Sequence, residues 1–309
     1  MILCLAPNPA VDRTMYVDAI HLGEVHRAIK VLTAAGGKGL NVARTMRTLG
    51  GDPLCMGPNG GHTGALLAEL ATQEGLQASW THAQNETRTC MILVQEKQDA
   101  TVINEPGQEI TVSECDTLID DVCQQALHTK FVCVCGSLPS GFSQTQYKSM
   151  LSKLVAMDKQ VWVDTSGGAL KTALEVKGVC IKVNAAELGQ ALDMKIPNIE
   201  QASKTAWQLL EDGISNIAVT LGKDGAVLCS ETGAWRATPP TIELVSSVGS
   251  GDAFLGGLLF ALADGASADV ALRSAVAAGT ANALEFGGGR LSLKIFCMLH
   301  DKVKTFTLD

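Results

Sequence analysis

The sequence lacks the features that mark nucleic-acid-binding and membrane proteins. Its lysines and arginines form no block, and the formal net charge of the 309 residues is −8. An excess of negative charge disfavours nucleic acid or an anionic membrane as the main partner. Apolar runs also stay below the roughly 18 residues that a membrane-spanning helix requires. We therefore expect small molecules as ligands, with neither nucleic acid nor a membrane as a partner.

Paired cysteines and clustered metal ligands are missing as well. The ten cysteines include no C-x-x-C pair, and the six histidines form no cluster with ligand spacing, which disfavours a zinc site. Most cysteines stand in apolar segments such as 132–135, a pattern typical of buried, reduced thiols in a cytoplasmic protein. The apolar start at 1–6 lacks basic residues and meets Pro7 and Pro9, so it predicts a buried strand rather than a signal peptide.

Two common nucleotide-binding fingerprints are also absent. A dinucleotide fingerprint beginning at Gly249 needs glycine at position 254, where Phe254 stands. A P-loop needs serine or threonine after Gly37-Lys38, where Gly39 stands.

The chain is rich in apolar residues, since 46% of its residues are hydrophobic. This amount suffices for a substantial core in one large α/β domain or two smaller ones.

The fold class follows from an alternation of two kinds of segment. Short apolar segments predict strands at 2–6, 53–57, 131–136, 161–164, 179–183 and 217–221. Amphipathic segments between and after them predict helices at 38–49, 63–74, 112–127, 143–157, 198–212, 250–264 and 268–285. This order predicts an α/β protein with a mainly parallel sheet covered on both faces, whose ligands bind beyond the carboxyl ends of the strands.

Two segments depart from this alternation. Residues 11–32 and 87–104 have alternating, strand-like patterns and few helix signals. We predict that they pair into a small β lid on a main domain formed by 1–10, 33–86 and 105–309. The alternative is a pair of edge hairpins without any motion. The segment 291–309 shows no motif.

The most informative segment is 246–257, which reads SSVGSGDAFLGG. Gly249 and Gly251 permit a sharp turn, and the helix that follows would direct its positive end at an anion. Asp252 at this point predicts a base that takes a proton from a hydroxyl during phosphoryl transfer. The alternative is an ordinary helix cap. Because a helix end lowers the pKa of a nearby carboxyl group, we expect Asp252 to ionise normally.

Three further segments carry weaker signals. Residues 35–44, AGGKGLNVAR, form a second glycine-rich turn before a helix, with Lys38 as a positive charge and Asn41 as a hydroxyl ligand. Asn184 and Glu187 follow a strand and suit a hydrated Mg²⁺, although the same pair has the spacing of a capping box. Residues 220–225, TLGKDG, either line a nucleotide pocket or form a hairpin.

Taken in this order, the motifs resemble the ribokinase/PfkB carbohydrate kinase superfamily. The resemblance is carried by GGKGLN at 36–41, K-x-N-x-x-E at 182–187 and GSGD at 249–252, and it covers nearly the whole chain. APNPAVD at 6–12, TRT at 87–89, NEPG at 104–107 and GSLP at 136–139 resemble its phosphosugar branch. The fold that this implies is a ribokinase-like three-layer sandwich with a small β-sheet lid.

The resemblance also implies a role for each site residue. Asp252 is the general base, and the anion hole is formed by Gly249, Ser250 and Gly251. ATP is bound by Lys182, Asn184, Glu187, Thr220, Gly222, Gly225 and Asn282, and Glu187 holds the metal through water. Sugar hydroxyls contact Asp12, Gly37 and Asn41. The phosphate end of the sugar contacts Arg27, Lys38, Arg88 and Ser137.

The implied activity is ATP- and Mg²⁺-dependent phosphorylation of a ketohexose phosphate. Fructose 1-phosphate, converted to fructose 1,6-bisphosphate, is the leading acceptor. The alternatives are a tagatose-6-phosphate kinase, a 6-phosphofructokinase, a kinase of unphosphorylated sugars or nucleosides, and a catalytically silent sugar-phosphate sensor. Analogy with the superfamily also implies a homodimer formed through the lid.

Overall fold

The computed structural model describes residues 1–95 and 100–308, which form two β-sheets and flanking helices. The strands are β1 (Ile2–Leu5), β2 (Ala10–Tyr16), β3 (Lys30–Gly36), β4 (Pro53–Asn59), β5 (Gln77–His82), β6 (Arg88–Val94), β7 (Thr101–Asn104), β8 (Phe131–Cys135), β9 (Gln160–Asp164), β10 (Cys180–Asn184), β11 (Asn216–Thr220), β12 (Ala226–Ser230), β13 (Gly233–Thr238) and β14 (Lys304–Leu308). The helices are α1 (Lys38–Thr48), α2 (Gly61–Gln73), α3 (Val112–Ala126), α4 (Gln144–Ala156), α5 (Gly167–Leu174), α6 (Ala185–Leu192), α7 (Ile199–Glu211), α8 (Ser250–Ala263), α9 (Ala268–Asn282) and α10 (Leu293–His300).

The larger sheet has the spatial order β14-β13-β12-β11-β10-β9-β8-β1-β4-β5. Its strands from β11 to β5 pair in parallel, whereas β12, β13 and β14 extend one edge in antiparallel fashion. All six predicted strands lie in the parallel part, which confirms the expected α/β class. Their carboxyl ends therefore face one common edge of the sheet.

Both faces of this sheet are covered because its inner strands are predominantly apolar. Leu3 and Leu5 of β1 pack into a core with α3 to α7, whereas Ile2 and Cys4 pack into a second core with α1, α2, α8, α9 and α10. Successive side chains of a strand point to opposite faces. The apolar run at the start of the chain thus contributes side chains to both cores, and the sheet lies between two layers of helices.

The smaller sheet has the order β3-β2-β6-β7. Strand β2 pairs antiparallel with β3 and parallel with β6, and β7 pairs antiparallel with β6. The two strand-like segments at 11–32 and 87–104 do pair, as the sequence predicts, although residues 96–99 of the second segment lie outside the described residues. Strand β3 continues to Gly36 and leads directly into α1.

Several short elements have no counterpart in the sequence prediction. Helices α5 and α6 have only eight residues each, which is too short for a clear helical period. The segment 291–309 contains α10 and β14, and β14 pairs with β13 at the sheet edge. The guanidinium of Arg236 stacks 4.8 Å from the ring centroid of Phe306 there. Strand β14 is half polar and is stabilised by its pairing with β13, so its own sequence does not predict it.

Within the ranges 1–95 and 100–308, no helix combines the length and hydropathy that crossing a bilayer requires. All ten cysteines have free thiols, and eight of them are buried. Burial raises the pKa of the Cys55 thiol to about 12, so this side chain behaves as a small apolar group at neutral pH.

Candidate active site

Polar side chains gather at the edge where the parallel strands end. Asp164 is the last residue of β9, Asn184 ends β10 and Thr220 ends β11. Ser137 follows β8 by two residues, and Asn8 follows β1 by three. Ligands of open α/β sheets bind at such an edge. The sequence-predicted Ser137, Asn184 and Thr220 therefore lie at the ends of three different strands along one edge.

Helix α8 begins at this edge with a tightly enclosed glycine. Gly249 is the N-cap and has a left-handed backbone with φ of 79°. A Cβ on it would lie 2.3 Å from the Cα of Gly288, so the approach of the loop at 287–290 also requires glycine here. The hydroxyl of Ser250 is buried and has no hydrogen-bond partner among the described residues. A free buried donor beside a helix N-terminus fits an anionic ligand.

Asp252 lies in the first turn of α8 and is buried, with 6% of its surface exposed. The Nδ2 group of Asn41 donates a hydrogen bond of 2.8 Å to its Oδ2. Burial raises the pKa of Asp252 above its ordinary value, against the lowering effect of Lys38, and the Asp164 carboxylate adds to the rise. The expected lowering of the Asp252 pKa by the helix end was therefore wrong, because desolvation outweighs the nearby ammonium groups.

Asp164 is a site residue that sequence reasoning missed. It is fully buried and accepts hydrogen bonds from Lys38 Nζ at 2.7 Å and from Lys182 Nζ at 2.6 Å. Burial alone would raise the pKa of Asp164, but the two ammonium groups, Lys182 first, outweigh it and hold the pKa below its usual range. A single acidic residue at the carboxyl end of the apolar segment 161–164 is the signal that the sequence offered.

Lys38 and Lys182 place two ammonium groups beside the start of α8, with the Asp164 carboxylate bound to both. Burial would lower the pKa of Lys38, but the carboxylates of Asp164, Asp252 and Glu187 raise it, so Lys38 remains protonated. The ammonium of Lys182 lies 2.7 Å from the point that a Cβ on Gly251 would occupy. The glycine turn and both ammonium groups thus surround one pocket suited to a phosphoryl group.

Asn184 and Glu187 form a capping box, which is one of the two interpretations that the sequence allowed. Asn184 Oδ1 accepts from the Glu187 N–H at 2.8 Å, and Glu187 Oε2 accepts from the Asn184 N–H at 3.2 Å. The Glu187 side chain remains partly exposed at the sheet edge. The capping geometry occupies one carboxylate oxygen and leaves the other able to bind a hydrated cation.

A cavity of about 650 Å³ adjoins the start of α8, and its lining includes Thr220, Gly222, Gly225, Ser250 and Gly251. A second cavity of about 970 Å³ shares Thr220 and Gly222 with it and extends along α6 past Asn184. Volumes of this size hold small-molecule ligands. Of the residues predicted to bind ATP, Asn184, Thr220, Gly222 and Gly225 line these two cavities, whereas Lys182, Glu187 and Asn282 do not.

Asn282 was predicted to lie beside the adenine, and the structure places it elsewhere. Its side chain is fully buried, and its Nδ2 group donates to the carbonyls of Gly287 at 3.0 Å and Arg290 at 2.7 Å. It is also outside the lining of the 650 Å³ cavity. We therefore correct its role, because its amide stabilises the loop behind Gly249 rather than facing a ligand.

The opposite side of the site is formed by the small sheet. Arg88 Nη2 donates to the carbonyl of Asn8 at 3.0 Å, and Asn8 Nδ2 donates to Ser137 Oγ at 3.1 Å. Burial raises the pKa of Asp12 to about 6, although Arg44 and Arg88 lower it. A Cβ on Gly36 would meet the Asp12 carboxyl group at 2.2 Å. The structure therefore brings Arg88, Ser137 and Asp12 to one side of the site, and their contacts with a sugar phosphate stay a prediction.

Arg27 does not join this cluster. It lies in the exposed segment between β2 and β3, and its side chain bonds to no other residue in the part of the chain that the structure describes. Lys38 lies in the site, but its ammonium binds Asp164 and is not part of the cluster formed by Arg88 and Ser137. The predicted phosphate contacts are thus divided between three places: Arg27, Lys38 at Asp164, and Arg88 with Ser137.

The pfkB family of carbohydrate kinases matches residues 6–294 of the chain. Phosphofructokinase-2 from Escherichia coli, solved in complex with substrates and products, has a TM-score of 0.89 and 26% identity over 98% of each chain. A protein from Staphylococcus aureus provisionally described as a phosphofructokinase has a TM-score of 0.83 and 27% identity over 100% of this chain and 99% of that one. A possible 1-phosphofructokinase from Thermotoga maritima shares the fold, with a TM-score of 0.87 at 20% identity over the full length of both chains.

A three-layer α/β sandwich with a small second sheet is the ribokinase-like fold, which the chain shares with these structures. The chain belongs to the pfkB family of carbohydrate kinases. The family resemblance seen in the sequence, the fold that it implied and the expected sugar kinase activity are confirmed.

Proposed function

We propose that this kinase transfers the terminal phosphoryl group of ATP to a hydroxyl of a ketohexose phosphate, with fructose 1-phosphate as the acceptor. The observation that carries the proposal is the placement of Asp252. Its carboxylate is buried in the first turn of α8, bonded to Asn41, and close to the charges of Lys38 and Lys182. A hydroxyl that faces this carboxylate lies next to a pocket made for a phosphoryl group.

In the proposed reaction, the sugar oxygen attacks the terminal phosphorus while Asp252 accepts the hydroxyl proton. The bond between that phosphorus and the bridging oxygen breaks, and ADP leaves with the electron pair. The first N–H groups of α8 lack acceptors within the helix, and with Lys38 and Lys182 they would neutralise the transferred group. Phosphoryl transfer depends mainly on positioning and charge neutralisation, which these residues supply.

The nucleotide would occupy the cavity lined by Thr220, Gly222 and Gly225, with its phosphates directed at Lys182. Mg²⁺, when bound, neutralises phosphate oxygens of ATP. The residues present fit a hydrated ion, because Glu187 offers one free carboxylate oxygen next to Asn184. In the described part of the chain, no group of three or more His, Cys, Asp or Glu side chains forms a metal cage, so water would supply most ligands.

The sugar would lie between Asp252 and the small sheet. Asp12, Gly37 and Asn41 would contact its hydroxyls, and Arg88 and Ser137 its phosphate group. We assign Lys38 to the transferred phosphoryl group as well, because Asp164 holds its ammonium on that side. Arg27 remains a prediction for the sugar phosphate.

We further propose that the small sheet acts as a lid over a main domain formed by 1–10, 33–86 and 105–309. The lid segments, 11–32 and 87–104, contribute Asp12 and Arg88 to the site. Closure over the sugar would exclude water, which otherwise competes as the phosphoryl acceptor.

An assay of ADP release with MgATP tests the proposed substrate. Fructose 1-phosphate, fructose 6-phosphate and tagatose 6-phosphate are compared side by side, and we expect the highest kcat/KM for fructose 1-phosphate. A preference for one of the other two sugars would make the enzyme a 6-phosphofructokinase or a tagatose-6-phosphate kinase. Negligible rates on all three would contradict the proposal and favour an unphosphorylated sugar or a nucleoside.

The Arg88→Ala variant separates phosphosugars from unphosphorylated acceptors. Loss of a charged hydrogen bond to the sugar phosphate should raise its KM about 10- to 100-fold and leave the KM for ATP unchanged. Arg236→Ala is the matched control, because Arg236 is exposed on β13 at the far edge of the larger sheet. An unchanged KM for the sugar phosphate in Arg88→Ala would favour a plain sugar or nucleoside kinase.

A further inference from the structure

A buried arginine lies directly behind the base. Arg44 follows Asn41 by one turn of α1 and is only 6% exposed. Its Nε donates to Glu74 Oε2 at 2.5 Å, and its Nη1 donates to Asn41 Oδ1 and to the carbonyl of Gly288, each at 2.7 Å. Its Nη2 donates to the carbonyl of Ala35. One guanidinium therefore joins four separate parts of the chain.

Glu74 completes this arrangement from the end of α2. Its Oε1 accepts from the N–H of Ala35 at 3.1 Å and lies 3.4 Å from Arg290 Nη2. A buried ion pair contributes little net stability compared with apolar side chains of the same size. The ion pair also has an effect on geometry, because the N–H groups of the planar Arg44 guanidinium point in fixed directions and so determine where each acceptor lies.

The consequence for Asn41 is a defined orientation of its side-chain amide. Since Oδ1 accepts from Arg44, the NH₂ group must face the other way, and it donates to Asp252 Oδ2 at 2.8 Å. The reverse orientation would place an amide oxygen against the carboxylate of Asp252 and an NH₂ group against a guanidinium donor. Both contacts would be repulsive, so Arg44 selects the orientation that supports an ionised base.

We propose that Arg44, held by Glu74, is a positioning residue for phosphoryl transfer, because it fixes the Asn41 amide that holds the Asp252 carboxylate. The inference rests on the proposed function of Asp252 as the base. Arg44 acts through Asn41 and does not contact the substrate.

The same guanidinium links the base to two other parts of the site. Ala35 precedes Gly36 at the end of β3, where the small sheet joins α1. Gly288 lies against Gly249, since a Cβ on Gly249 would come within 2.3 Å of it. The base, the start of the small sheet and the loop behind the anion hole therefore share one hydrogen-bonding centre.

The first test is Arg44→Lys, which keeps the charge opposite Glu74 but loses the planar fork. We expect kcat to fall about 10- to 100-fold, as small misplacements of reacting groups do, with the KM for ATP within about twofold of the unaltered enzyme. Arg47→Lys is the matched control, because Arg47 lies on the same helix with its side chain exposed. A folded Arg44→Lys protein with unchanged kcat would overturn the proposal.

The second test is the pH profile of kcat, which a purely structural role would not move. Without Arg44, the Asn41 amide can turn its oxygen toward Asp252 and favour the protonated carboxyl group. The acidic limb should then shift upward by about one pH unit. The other charged groups facing Asp252 are Lys38 of α1, Asp164 of β9, Lys182 of β10 and Asp12 of β2, and all of them are retained in the variant.

A double-variant comparison tests the route through Asn41. Asn41→Ala removes the donor to Asp252, so adding Arg44→Lys to it should produce no further shift of the acidic limb. Additive shifts would show that Arg44 acts elsewhere and would overturn the proposal.

Folding is checked by thermal denaturation of each variant. If Arg44→Lys unfolds, the pair Arg44→Gln with Glu74→Gln removes both buried charges together, and the same fall in kcat is expected. Failure of both proteins to fold would assign Arg44 to stability alone and overturn the proposal. The acceptor is whichever carbohydrate the unaltered enzyme phosphorylates, so a wrong substrate assignment shows in the unaltered enzyme, before any variant is compared.

Discussion

At the scale of single residues, Asp252 combines two opposing requirements. Burial raises its pKa, whereas accepting a proton requires the ionised form. The Asn41 hydrogen bond and the two nearby ammonium groups stabilise the carboxylate against this desolvation. Replacing the carboxylate with an amide removes the base while it preserves size and most contacts.

We therefore expect Asp252→Asn to lower kcat by about 10² to 10⁴. ATP and sugar binding, measured by calorimetry, should persist, because the pocket around Asp252 is retained. Asp264→Asn is the control, since Asp264 is exposed at the other end of the same helix. A silent sensor would show equal, negligible turnover before and after the Asp252 change, and unaltered turnover by the variant would exclude Asp252 as the base.

Asp12 is expected to make the KM for the sugar depend on pH, whereas Asp252 is expected to make kcat depend on pH. Burial raises the pKa of Asp12 to about 6, so it becomes protonated as the pH falls through this value. The proposed acceptor for sugar hydroxyls is then lost, and the KM for the sugar should rise. Asp12→Asn should remove this pH dependence of KM, whereas the acidic limb of kcat, which belongs to Asp252, should remain. A KM that keeps its transition near pH 6 in Asp12→Asn would contradict the assignment.

At the scale of elements, the turn before α8 is the most constrained part of the site. Gly249→Ala combines a left-handed backbone with a Cβ only 2.3 Å from the Cα of Gly288. Gly265 follows the same helix with φ of 84°, but a Cβ on it would meet nothing within 4 Å. Alanine variants at the two positions therefore distinguish the cost of a left-handed backbone, common to both, from the cost of the close contact with Gly288, present only at Gly249.

We expect Gly265→Ala to cost about 1–2 kcal/mol of stability and leave kcat unchanged. Gly249→Ala should cost more in thermal denaturation and abolish most turnover, because the loop at 287–290 has to move away from the anion hole. Equal effects of the two substitutions on both stability and kcat would show that the close contact with Gly288 is unimportant.

The elements also show what the sequence can and cannot predict. The apolar strands and long helices follow from periodicity, and GSGD at 249–252 predicts the proposed base and anion hole. Asp164 was missed because its two lysine partners stand 126 and 18 residues away, so their convergence depends on strand order. The raised pKa of Asp252 and the buried amide of Asn282 likewise depend on packing, which a single sequence does not encode in any local pattern.

At the scale of the whole molecule, the small sheet carries exposed apolar side chains. Val31, Met91 and Ile103 on β3, β6 and β7 have exposed fractions of 46%, 38% and 48%. Met91 and Ile103 are register partners on adjacent strands, so they share one face of the sheet. Apolar patches of this kind are typical of interaction surfaces, which supports the prediction of a homodimer formed through the lid.

Sedimentation measures this directly, and we expect a species of twice the 32.4 kDa chain mass at micromolar concentration. Met91→Glu combined with Ile103→Glu should give a monomer, because burying two carboxylates in an apolar contact is unfavourable. Phe306→Glu is the control, since Phe306 is 44% exposed on β14 at the distant edge of the larger sheet. A monomeric unaltered protein would remove the dimer, whereas a dimer that survives the double change would place the interface elsewhere than on the lid.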